Sequence, residues 1–79
     1  MKIQRLIEII ISIRGNTEEP IKKEYSLKED LHMSSFELMM LMAELEVELK
    51  RELRPDIFVG TDTVEDLYER ILEISGEKK

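Results

Sequence analysis

A chain of 79 residues has room for one small domain. With 42% hydrophobic, 38% charged and only 5% aromatic residues, it has the balance of a compact helical globule and not of a disordered chain. It contains no cysteine, which excludes a disulfide framework or a thiolate metal site and fits a reducing compartment, while a net charge of -6 opposes nucleic-acid phosphates and favours basic protein partners.

Ile3, Leu6, Ile7, Ile10 and Ile13 recur at three- and four-residue intervals, which predicts a first helix over about residues 2–14, stopped by Gly15-Asn16. The apolar stretch from Leu6 to Ile13 is interrupted by Glu8 and is too short to span a bilayer, and no small-residue cleavage site follows it. The expected location is therefore the cytosol, with no membrane part. From Gly15 to Met33 the chain carries Pro20 and several charges, yet Ile21, Tyr25, Leu27 and Leu31 are spaced along it like anchors, so this long loop is expected to be functional and tied to the core.

A second helix must begin at "MSSFEL". Ser34 with Glu37 three residues on makes a capping box, and Met33 with Leu38 has the spacing of a hydrophobic staple, so Ser34 is the expected N-cap. Strong helix formers carry the pattern to about Leu53, before Pro55 opens a short helix over Pro55–Phe58 closed by Gly60. Thr63 then caps a last helix with acids in its first turn, placing Val64, Leu67, Ile71 and Ile74 on one face before Gly76. The expected fold is all-α: a four-helix bundle with a long loop after the first helix and a short third helix, one domain over residues 1–79, its tail from residue 76 frayed.

The chemical options are few. His32 is the single histidine, so neither a histidine pair for a metal nor an elaborate nucleophilic triad is at hand, and a lone loop histidine is ordinarily solvated. Glu18-Glu19 and Glu29-Asp30 fall in loops, while Glu44, Glu46 and Glu48 point to different sides of the second helix, so all read as solvated charge. Three glycines do not make a phosphate-cradling loop. No catalytic residue and no metal ligand is expected. Ser35 is different in kind: if Ser34 caps, Ser35 lies in the first turn beside unpaired N–H groups and the positive end of the helix dipole, where a phosphodiester is electrostatically favoured. A serine at a helix start is by itself ordinary capping, so the surrounding motif must decide.

That motif resembles the acyl carrier proteins, small cytosolic helical domains that hold acyl groups as thioesters on a 4'-phosphopantetheine arm. The family attaches the arm within Asp-Ser-Leu at the start of its second helix, after an Asp-Leu pair. Here Asp30-Leu31 precedes Ser35 at the family's distance and Phe36 fills the bulky position after it. "SLKEDL", Leu45-Glu46 and "TDTVEDL" match further along the chain, whereas His32 stands at a common glycine, Ser34 at the usual aspartate, and Met40 and Val47 at positions often acidic in the fatty-acid synthesis members. The resemblance implies Ser35 as the attachment residue and a chain that performs no catalysis itself. It also implies a phosphopantetheinyl transferase that installs the arm, and acyl-loading and acyl-transferring enzymes that dock on the second helix.

At 100° per residue, Leu38, Leu41, Met42, Leu45, Leu49 and Leu53 form a core stripe, and Phe36, Met40, Ala43 and Val47 a second apolar stripe opposite. Either the long loop covers the second stripe, or it is the partner surface; these four residues match positions by which such carriers meet their enzymes, and Glu37 is the docking charge beside them. Lys50, Arg51 and Arg54 give the helix a basic end that fits a mixed-charge footprint or simply the helix dipole. A carrier of long chains needs an expandable cleft, for which Met42, Met39, Leu45 and Ile71 are the expected lining. Other readings stay open: an aminoacyl or polyketide-type carrier, or a helical interaction module without the arm, dimeric through the second stripe, where a carrier would be monomeric.

Overall fold

The protein is described here from a computed structural model over residues 1–15 and 20–76; residues 77–79 of the expected frayed tail, the loop pair Glu18-Glu19 and Asn16, half of the expected helix stop, lie outside these residues. Three α-helices, α1 (Ile3–Arg14), α2 (Ser35–Leu49) and α3 (Val64–Ser75), pack with a single 3₁₀ turn, Pro55–Phe58, into a body of 33 × 25 × 21 Å. The fold is all-helical, as expected. The anticipated third helix is only the 3₁₀ turn, so three α-helices are present among the described residues. Its brevity has a local cause: Pro55 can start a turn but Gly60, at φ 79°, ends it almost at once, leaving Ile57 N–H on Arg54 O at 3.0 Å and Val59 N–H on Asp56 O at 3.0 Å.

α1 packs on both α2 and α3, and the 3₁₀ turn packs on α3. Leu6, Ile10, Leu41, Leu45, Val64, Leu67 and Ile71 are fully enclosed at the centre. The long loop is tied down by the anchors its sequence suggested, since Ile21, Leu27 and Leu31 are buried and Tyr25 is half-buried against the core. Gly15 stops α1 at φ 87°, a conformation open to glycine and costly for other residues, and its N–H returns to Ile11 O at 2.8 Å. At the other end of α1, the Tyr68 hydroxyl donates to Met1 O at 2.8 Å.

α2 ends at Leu49, four residues short of the expected Leu53. Lys50 turns left-handed at φ 58°, and Glu46 then catches the outgoing chain: its carbonyl accepts from Arg51 N–H at 3.2 Å and its carboxylate from Leu53 N–H at 2.8 Å. The early stop lets Leu53 and Ile57 fold back into the core, where both are buried. Helix propensity favoured continuation; burial of these two side chains outweighs it. A side chain at left-handed φ costs roughly 1–2 kcal/mol and a glycine about 0.5–1 kcal/mol of extra unfolded-state freedom. Lys50→Gly should therefore raise stability slightly, by up to about 1 kcal/mol, a few degrees in Tm, and Lys50→Val should lower it. Thermal unfolding of the two variants checks the sign, and a lower Tm for the glycine variant would contradict a strained Lys50.

α3 starts as expected. Thr63 Oγ1 accepts from Asp66 N–H at 3.1 Å, and the Asp66 carboxylate accepts from the N–H groups of Thr63 at 3.1 Å and Asp62 at 3.0 Å. These backbone donors hold the Asp66 carboxyl below the ordinary aspartate range. A carboxyl depressed in the fold adds stability above its unfolded value and loses it as pH falls through the folded one. Asp66→Asn, which mimics the protonated form, should thus melt below the natural chain at neutral pH, with the gap closing on acidification. A gap unchanged down to acid pH would remove Asp66 from the account. Across the bundle Arg5 donates to Glu48 at 3.0 Å, an exposed pair whose hydrogen bond lowers the Glu48 carboxyl below its usual range. Glu46 and Glu48, expected to be merely solvated, thus both have partners.

Candidate functional site

The two adjacent serines at the start of α2 have different surroundings. Ser34 is the extended N-cap, its Oγ accepting from Glu37 N–H at 3.2 Å while Glu37 Oε1 accepts from Ser34 N–H at 2.9 Å, so the capping box is closed in both directions. Met33 and Leu38 are buried on either side of it, at the spacing of the staple. Ser35, one residue on, is the first residue of the helix and is exposed. Its hydroxyl has no share in the box, and the first-turn N–H groups of Ser35 and Phe36 precede the point where intrahelical bonding begins. A hydroxyl on an exposed residue beside free donors and a positive helix end is chemically suited to bear a phosphodiester. The residues present fit such a group.

The described part of the loop that delivers Ser35 is held by hydrogen bonds at both ends of its last turn. Ser26, a buried polar residue, donates from Oγ to Asp62 Oδ1 at 2.8 Å and accepts from Glu29 N–H at 3.1 Å, while its own N–H donates to Asp30 Oδ2 at 2.7 Å. Leu27 N–H donates to Asp62 O at 2.8 Å, Val64 N–H to Tyr25 O at 3.0 Å, and Met33 N–H to Leu27 O at 2.9 Å. The stretch before α2 is therefore stitched to the stretch before α3. Asp30 is not idle solvated charge as its sequence context suggested; its carboxylate closes the turn, and Leu31 beside it is buried. His32 sits at φ 53°, which explains why glycine suits this position; histidine is among the side chains that tolerate the left-handed region.

Along α2 the two apolar faces separate cleanly. Leu38, Leu41 and Leu45 are buried, while Phe36 is 70% exposed, Val47 75%, Met40 39%, and Ala43 is exposed as well. No described part of the long loop covers the second stripe. Glu37 flanks it but its carboxylate is committed to the cap, so charge reversal there would strip the helix start as well as any docking charge. At the far end, Arg51 Nη1 donates to Ile74 O at 2.6 Å and caps the last turn of α3, whereas Lys50 and Arg54 remain exposed, Arg54 only loosely near Asp56 at 3.8 Å.

The expected methionine cleft is not assembled as proposed from the sequence. Met39 is 64% exposed and so stands outside the core, because it lies about 60° round the helix from Met42, toward solvent. Met42 is half-buried, and Leu45 and Ile71 are enclosed in close-packed core. A cavity of about 120 Å³ opens instead beside Leu38, one turn into α2, between Leu27 and Lys28 on one wall and Phe58, Thr61 and Asp62 on the other. Neither it nor the Ser26–Asp62 bond was anticipated, although "SLKE" has the same Ser-x-x-Glu spacing that marked Ser34.

Among the described residues no helix is long and apolar enough to cross a membrane, and no group of three or more His, Asp or Glu side chains is placed to hold a metal ion. Residues 4–71 match the model of the phosphopantetheine attachment-site family. The chain belongs to that family, whose prosthetic group is 4'-phosphopantetheine and whose domains are generally non-catalytic carriers. The fold is also similar to that of a Mycobacterium tuberculosis protein provisionally described as an acyl carrier protein, at 25% identity and a TM-score of 0.79, over 91% of this chain and 96% of that one.

Proposed function

We propose that the protein is an acyl carrier of the cytosol that holds biosynthetic intermediates as thioesters on an arm joined to Ser35 Oγ. The 3₁₀ turn at Pro55–Phe58 then stands in the place of the third helix of a carrier-type four-helix bundle. The observation that carries the assignment is the division of labour at the helix start: Ser34 spends its hydroxyl on the cap, and Ser35 presents a free one beside it. A transferase would need only that oxygen. Tethering keeps the cargo at high effective concentration for successive enzymes without tight binding.

Partner enzymes dock, in this reading, along Phe36, Met40, Ala43 and Val47, with exposed Glu44 and the Lys50 end supplying charge of both signs. The 15-residue helix makes this a strip about 22 Å long and roughly 10 Å wide, far less than the ~800 Å² each side of a stable dimer requires. A small apolar strip supports transient contacts and a monomeric resting state. Apolar Met40 and Val47, at positions often acidic in fatty-acid synthesis members, favour a specialised aminoacyl or polyketide-type pathway as the second reading. Incubation of the purified chain with a promiscuous phosphopantetheinyl transferase and coenzyme A should add the mass of one arm. An unchanged mass would overturn the carrier assignment and leave an interaction module.

A further inference from the structure

The small cavity beside Leu38 bears on what the arm can shelter. On a helix, residues three apart are surface neighbours, so Leu38 lies one turn from Ser35 on the adjoining surface. Other depressions among the described residues are wider but shallower or remote from α2's first turn: one lies between Ile3 and Tyr68, another between Leu53 and Ile74. The cavity has apolar sides in Leu27, Leu38 and Phe58 and one cation, Lys28, at its rim. At about 120 Å³ it offers roughly the space of four waters, and so of roughly four heavy atoms of cargo.

Its two walls are tied to each other by hydrogen bonds. The Leu27 wall and the Asp62 wall are joined by Leu27 N–H on Asp62 O and by Ser26 Oγ on Asp62 Oδ1, each at 2.8 Å, and Asp62 is itself held by its N–H on Asp66 Oδ2 at 3.0 Å. Behind Leu38, Leu41, Leu45, Leu67 and Ile71 leave no exposed surface at all. A longer chain could enter only by parting the clamp or by displacing that core, and close-packed protein cores resist insertion of even a few methylenes.

We propose that Asp62 sets the cargo size of this carrier: by clamping the two walls together it confines the sheltered part of the acyl group to about four heavy atoms, so the chain houses short acyl groups and leaves longer ones in solvent. Asp62 is a positioning residue in this scheme, acting on the cargo through the bond from the Ser26 hydroxyl to its carboxylate, while the bond from Leu27 N–H to its main-chain oxygen is common to every variant. The proposal rests on attachment at Ser35, and the test separates the two.

Transferase and coenzyme A bearing acetyl, butyryl, octanoyl or hexadecanoyl groups would load the full chain, with intact mass read first. Failure to load any of them would defeat the attachment reading and says nothing against the clamp. For loaded chains, methyl shifts in two-dimensional NMR report where the cargo lies. In the natural protein butyryl should move Leu27 and Leu38, and octanoyl and hexadecanoyl should move them no further and leave Leu45 and Ile71 unchanged. Asp62→Ala and, independently, Ser26→Ala should let the octanoyl signal spread to Leu45 and Ile71, while Asp62→Asn, which keeps an acceptor for the Ser26 hydroxyl, should retain the natural pattern. Octanoyl reaching Leu45 and Ile71 in the natural protein, or the same length profile in all variants, would overturn the proposal.

Discussion

Ser35→Ala should yield a folded protein that can never be charged, whereas Ser34→Ala should be charged normally but melt earlier. The asymmetry follows from the hydroxyls' partners. Ser34 Oγ accepts from Glu37 N–H at 3.2 Å, and losing an N-cap costs about 0.5–2 kcal/mol. In a domain of this size that lowers Tm by several degrees, since 1 kcal/mol corresponds to about 4–8 °C. Ser35 supplies no cap and is exposed, so its removal leaves stability nearly unchanged, within about 0.5 kcal/mol. Its effect on modification is total, because no other hydroxyl occupies the first turn of α2. The measurements are intact mass after transferase treatment and thermal unfolding, on both variants side by side. An arm added to the Ser35→Ala protein and none to Ser34→Ala would exchange the two roles.

Much of this site could be read from residue spacing because its determinants are local. A capping box needs only Ser34 and Glu37, and another only Thr63 and Asp66; both closed in both directions. The exposure of Phe36 and Val47 likewise follows from 100° per residue once the core stripe is known. What escaped the sequence depends on pairs far apart in it. Ser26 meets Asp62 across 36 positions, Arg51 meets Ile74 across 23, and Arg5 meets Glu48 across 43. No helical or strand periodicity encodes such pairs, and they convert residues that read as solvated charge into the ties between loop, helix and cavity wall. The end of α2 was misjudged for a related reason: Lys50 to Leu53 are acceptable helix residues, and only the need to bury Leu53 and Ile57 elsewhere in the chain turns them out. The exposure of Met39 turns on a finer point, since the one position that separates it from buried Leu38 is 100° along a helix and suffices to move a side chain from the core edge to solvent.

The two faces of α2 should answer oppositely to truncation. Leu45 is fully enclosed, and Leu45→Ala should cost about 2–5 kcal/mol through lost transfer energy and the cavity left behind. Set against a total of roughly 4–12 kcal/mol for 79 residues, that loss brings the domain near or past unfolding. Val47, two residues on and 75% exposed, has little burial to lose, so Val47→Ser should shift stability by less than about 0.5 kcal/mol, whereas Met40→Ser, at a site only 39% exposed, should cost about 1–2 kcal/mol. If the second stripe is where enzymes dock, the serine variants should instead lose delivery: transfer of cargo to an enzyme that accepts the natural chain should fall about tenfold in kcat/KM, the equivalent of about 1.4 kcal/mol of contact. Loading of Ser35 and the melting curve serve as controls in the same samples. Loss of structure in Val47→Ser would make the second stripe part of the core, and full delivery by both serine variants would move the docking surface off this face of α2.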